Sequence, residues 1–128
     1  MGDADELQVA EREVTAAFEE YERALILNDL QVMDGWFWRD PRVVRFGIAD
    51  AQLGFAEVQA WRAAATPVPA SRRITRRHVL ALDPDVVCVD ITFESDEQVG
   101  VGRQSQVWQR RPEGWRIVRA HVSVVAHH

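Results

Sequence analysis

Two long β-rich runs close this chain, Val99–Arg111 and Trp115–Val125, with Pro112-Glu113-Gly114 between them. Their composition and the Pro/Gly turn read as one antiparallel hairpin. At about 3.3 Å per residue such strands outgrow a small flat sheet, so the sheet must curl. Gly100 and Gly102 are positions at which the first run can bend or bulge. Arg103, Gln104, Ser105, Gln106 and His121 stand where a plain core strand would avoid polar groups. A curled sheet with polar residues among apolar ones predicts a lined pocket.

The rest of the chain supplies helices to cover that sheet. From about Asp5 to Asn28, Leu7, Ala10, Val14, Phe18, Tyr21 and Leu25 recur at steps of three and four. This is the stripe of one long amphipathic helix, with Glu11, Glu13, Glu19, Glu20 and Arg23 on its wet side. Leu30–Trp38 reads as a short second helix, interrupted by Asp40-Pro41. Val43–Gly47 reads as a short strand, Ala51–Gly54 as a turn or small strand, and Phe55–Ala65 as a third helix ended by Thr66-Pro67-Val68-Pro69. Ser71–Leu82 and Val86–Glu94 are strands around Asp83-Pro84-Asp85, and the long hairpin follows. The order predicts one α+β domain over residues 1–128, a strongly curved antiparallel sheet wrapped around three helices of the N-terminal half.

Composition excludes several classes. A net charge of −5 gives no general attraction to nucleic acid or anionic lipid. Arg72-Arg73 and Arg76-Arg77 divide between two faces of a strand, a weak nucleic-acid signal. No apolar run is long enough to cross a bilayer, and the acidic start Met1–Glu6 lacks the basic region of a signal peptide, so a cytoplasmic location is expected. The single cysteine, Cys88, lies among valines and reads as a small buried apolar residue. His78, His121, His127 and His128 show no ligand spacing with a supporting carboxylate, so no metal and no cofactor is expected. All 15 basic residues are arginine, which rules out Schiff-base chemistry on lysine. Positive charge acts here as a planar fork suited to carboxylates.

Five residues are candidates for chemistry. Tyr21, the only tyrosine, is either a core aromatic or a phenol aimed into the pocket as a proton donor. Arg45, inside Val43-Val44-Arg45-Phe46-Gly47, must reach solvent, pair with a carboxylate such as Asp90, or bind an anionic ligand. Gly47 leaves room for close approach to the backbone. Strand alternation puts Gln104 and Gln106 on one face, either lining the pocket or hydrogen-bonding across a wet surface, with Ser105 opposite. On the last strand it separates Val118, Ala120 and Val122, expected inside, from Ile117, Arg119 and His121. His121 then looks outward, and it becomes a substrate-binding residue only if a bulge reverses the strand. An outer face carrying Trp115 and Ile117 predicts self-association into a homodimer.

The element order and the ending Trp115-Arg-Ile-Val-x-x-His-Val-Ser123 resemble the nuclear transport factor 2-like (SnoaL-like) superfamily and its cone-shaped fold. Tyr21-Glu-Arg-Ala-Leu, Asn28-Asp29, Phe37-Trp38, Val44-Arg45-Phe46-Gly47 and Gly102-Arg103-Gln104-Ser105-Gln106-x-Trp108 resemble more closely its AtzH-like/HpxZ-like subfamily. The resemblance covers nearly the whole chain. It implies an amidohydrolase, or decarboxylating hydrolase, acting on a small carboxylated urea or amide such as dicarboxyurea or oxalurate. By position the functional tyrosine and arginine of that amidohydrolase fall on Tyr21 and Arg45. Arg45 would clamp a substrate carboxylate, Tyr21 would donate a proton to the departing nitrogen, and Gln104 and Gln106 would orient the amides. The alternative is a small-ligand-binding or accessory protein of an amidase pathway, using the same pocket without turnover.

Overall fold

The computed structural model describes residues 3–126, so His127 and His128 lie outside the described residues. Helix α1 runs Asp3–Leu27 and buries Ala10, Val14, Ala17, Phe18, Tyr21 and Ala24. Asn28 ends it in the left-handed region at φ 54°, a conformation asparagine tolerates. Asp29 then caps α2 (Leu30–Trp36), its carboxylate accepting from the Val32 N–H at 3.2 Å. Strands β1 (Val44–Phe46) and β2 (Ala51–Leu53) precede α3 (Phe55–Ala64), which stops before Pro67 and Pro69. Strands β3 (Arg73–Asp83), β4 (Val86–Glu94), β5 (Val101–Arg111) and β6 (Gly114–Val125) follow.

All six strands form one curved sheet in the order β2-β1-β6-β5-β4-β3. The last four make the expected antiparallel meander, but β1 joins β6 in parallel, so the sheet is mixed and not wholly antiparallel. The long connection through α3 and four strands supplies the crossover that a parallel pairing needs. Three rows cross the inner face. Ile117, Trp108, Val87 and Ala81 form the packed base, and Arg45, Ala120, Gln106 and Val89 the middle row. Val122, Gln104 and Ile91 form the third. α1 lies over these rows and is tethered to them by glutamates expected to be in water. Glu11 accepts from the Ala81 N–H at 2.9 Å, and Glu19 from Arg77 at 3.2 Å. Glu13 accepts from the Trp115 indole at 2.9 Å, a bond that with Arg110 holds its carboxyl below the usual range.

The expected outward placement of Trp115 and Ile117 is corrected by a bulge. Val107 pairs with Arg119 but Trp108 pairs with Ile117, which leaves Val118 as an extra residue in β6. The extra residue lets Trp115 and Ile117 turn inward, where they are 8% and 0% exposed, while Ala120 and Val122 also stay inside. The glycines do not supply the irregularity. Gly100 precedes β5, and Gly102 exists for the Phe93 ring, which occupies the space a Cβ would take. Cys88 is half-buried on the outer face and not in the core, its thiol pushed up by partial burial and by Asp90.

Candidate active site

A cavity of about 270 Å³ opens between α1, α3 and the inner face of the sheet. Tyr21, Arg45, Gln104 and Gln106 all line it, together with Trp61, Arg62, Arg72 and Phe93. The segment Thr66–Pro69, which ends α3, forms part of its wall. Small Ala120 and branched Val122 form the floor between the polar groups, so the space above them stays open.

Arg45 is positioned from three sides. Its Nη1 donates to Gln52 Oε1 at 2.8 Å and to Asp50 Oδ1 at 3.0 Å. Its guanidinium carbon lies 3.4 Å from the centroid of the Trp61 ring, a stacked cation–π contact. Among the described residues Nε and Nη2 have no acceptor, so one edge of the fork is unpaired. Burial lowers the Arg45 pKa, opposed by Tyr21 and Asp50, and a guanidinium stays charged at neutral pH regardless. The expected partner Asp90 is not involved; it lies on the outer face, accepting from Ser105 Oγ at 2.6 Å. What approaches the Gly47 backbone is the Arg45–Asp50 pair itself, since a Cβ there would overlap the Asp50 carboxylate and meet Arg45 Nη1. Gly47→Ala should therefore lower carboxylate affinity about tenfold in calorimetry. It should cost no more than about 1 kcal/mol of stability, because the Asp50 side chain is 43% exposed.

Tyr21 is 5% exposed and its ring packs 6.0 Å from that of Phe37. Arg62 Nη2 donates to its hydroxyl oxygen at 3.3 Å. Arginine has no acceptor, so the Tyr21 hydrogen is free to point elsewhere and the phenol can act as a donor. Arg62 is fixed by Asp34, Nε to Oδ1 at 2.9 Å, in an ion pair whose side chains are 4% and 11% exposed. A second buried pair joins Arg72 to Glu22, at 3.1 Å and 3.3 Å, with Arg72 stacked on Phe93. Both pairs are neutral, so of the three cavity arginines only Arg45 balances its charge against a solvent-exposed partner.

His121 does not face the cavity, which corrects its candidacy for substrate binding there. The bulge lies before it, at Val118, so the alternation that turns Ala120 and Val122 inward leaves His121 on the outer face, edge-on to Phe46. No sequence motif marks Arg62, Asp34 or Arg72 as parts of the site. Arg62 follows Val58 by one helical turn on the inner side of α3, a signal that spacing carried. Among the described residues no three His, Cys, Asp or Glu side chains converge as metal ligands. No helix among them is long and apolar enough to cross a membrane.

Three helices against a curved six-stranded sheet, with a cavity of mixed polar and apolar lining between them, define the nuclear transport factor 2-like fold. The fold is shared with an NTF2-like protein of unknown function from Pseudomonas putida KT2440, at 17% identity and a TM-score of 0.75, over 91% of this chain and 87% of that one. The AtzH-like family model matches residues 3–128, and the chain belongs to that family. It is 45% identical to a cystatin-like fold protein from Burkholderia xenovorans LB400, covering 93% of this chain and 94% of the other with a TM-score of 0.90. A protein of unknown function from the DUF3225 family of Pectobacterium atrosepticum SCRI1043 is 37% identical over 91% of each chain, with a TM-score of 0.87. No curated protein matches.

Proposed function

We propose that this protein is a cytoplasmic amidohydrolase, or decarboxylating hydrolase, acting on a small carboxylated urea or amide of the dicarboxyurea or oxalurate kind. The observation that carries this reading is the pairing of a guanidinium with an open edge and a phenol with a free hydrogen in one cavity. Arg45 holds a substrate carboxylate, replacing its water with charge-assisted hydrogen bonds. In the dicarboxyurea case the bond between nitrogen and the carboxyl carbon breaks, and its electron pair passes to the nitrogen. Tyr21 protonates that nitrogen, carbon dioxide departs, allophanate remains, and water restores the phenol. Arg62, donating to the same oxygen, supports the charge that develops on Tyr21.

The test is turnover by the purified protein of dicarboxyurea and a panel of oxalurate-like carboxylated amides, followed as carbon dioxide and product release. Turnover of at least one member, lost in Arg45→Gln, is the expected result. Binding of the panel without turnover would assign the protein to accessory ligand binding.

We also propose a homodimer, assembled through the outer sheet face without Trp115 or Ile117, which are buried inside. That face exposes Leu80 and Phe46, at 49% and 42%, and carries Asp90 among Arg76 and Arg103. Two copies related by a two-fold axis can oppose those charges. Sedimentation at about 50 µM should give a dimer, as a stable interface of standard size requires. A monomer at that concentration would remove the proposal.

A further inference from the structure

We propose that Gln104 is a specificity-determining residue, a fixed hydrogen-bond donor that selects ligands bearing an acceptor oxygen at the end away from Arg45. The proposal rests on the reading that Arg45 holds a carboxylate. Gln104 is 7% exposed and lines the cavity, yet its Nε2 has no hydrogen-bond partner among the described residues. A buried amide N–H without an acceptor is costly, so a site that keeps one is built to receive an oxygen there.

The orientation of that amide follows from its neighbour. Arg72 Nη2 lies 3.4 Å from Gln104 Oε1, and because a guanidinium only donates, the oxygen must face it and the nitrogen must face away. Arg72 is itself held by both oxygens of Glu22 and by the Phe93 ring, at 3.9 Å from its centroid. Gln106 repeats the arrangement. Its Oε1 accepts from the Trp108 indole at 2.9 Å, another group that only donates, so its Nε2 is left as the polar end free to meet a ligand. Two glutamines that chemistry alone would leave ambiguous are thus both set as donors.

Their placement fits a short bifunctional molecule. Arg45 pairs with Ala120 and Ala120 with Gln106, and Gln104 follows two residues along β5. Two strand spacings and one two-residue step put the Arg45 and Gln104 Cα atoms about 12 Å apart along the sheet. Both side chains line the same cavity, so a small linear ligand lying across the sheet face can extend from one toward the other. A carboxylate or carbonyl oxygen satisfies the far end; a methyl leaves the amide unpaired, and an ammonium meets donors only.

Succinate, butyrate and 4-aminobutyrate differ only at that end, so they are the probes, with binding measured by calorimetry. The wild-type protein should bind succinate about tenfold or more tighter than butyrate, and 4-aminobutyrate more weakly still. Gln104→Leu should erase the preference for succinate while leaving butyrate affinity within about twofold. Gln104→Glu should turn the preference toward 4-aminobutyrate, and it carries the test alone if the leucine variant does not fold. If either folded variant keeps the wild-type order, the role of Gln104 is wrong while the carboxylate site at Arg45 stands. If the wild type binds none of these carboxylates, or Arg45→Gln binds them equally well, the carboxylate reading falls and this inference with it.

Discussion

Tyr21→Phe is expected to lower kcat by on the order of 10²–10⁴-fold with KM nearly unchanged. The substitution keeps the ring that packs against Phe37 and removes only the hydroxyl. Arg62 loses one acceptor but keeps Asp34, so the stability cost should stay near about 1 kcal/mol and the fold should survive. Arg45→Lys should fail differently. It keeps the charge but loses the planar fork, the stacking on Trp61 and the simultaneous bonds to Gln52 and Asp50, so KM should rise more than kcat falls. Steady-state kinetics of the two variants on the same substrate checks the division of labour. Equal losses in both parameters for both variants would show that neither residue has the separate role assigned to it.

The largest effect on stability should come from Asp34→Ala. It leaves the Arg62 guanidinium buried without its counter-ion, at an expected cost of about 3–5 kcal/mol in denaturant unfolding. Asp34→Leu combined with Arg62→Leu should recover most of that loss, because two apolar side chains replace a buried charged pair at little net cost. The double variant should nevertheless lose activity, since Tyr21 no longer has the donor that directs its hydrogen. Recovery of both stability and activity would make the pair purely structural.

Much of this architecture is written in local patterns. The stripe through Val14, Phe18 and Tyr21 places α1 and points Tyr21 inward, and alternation places Gln104 beside Gln106. Patterns that depend on an inserted residue are not legible in the same way. Nothing in Arg116-Ile-Val-Arg-Ala distinguishes a continuous strand from one bulged at Val118, yet that residue decides the side to which Trp115 and Ile117 turn. Charge pairing is equally hidden. Glu22 and Arg72 are fifty positions apart, and each taken alone reads as a surface residue. The Arg62–Asp34 pair has the same character, because an arginine in the last turn of a helix is also what the helix dipole favours.

The parallel pairing of β1 with β6 has a consequence for the order of events during synthesis. Tyr21 and Arg45 are made early, but the strand beside which Arg45 lies is β6, the last strand of the described residues. A ribosome-bound chain lacking β6 has the clamp and the proton donor and no floor beneath them. Contacts this distant in sequence close late and slowly. Ligand-binding competence should therefore arrive as a single event once β6 has emerged, and a nascent chain stalled before Arg119 should hold no ligand however much helix it has formed.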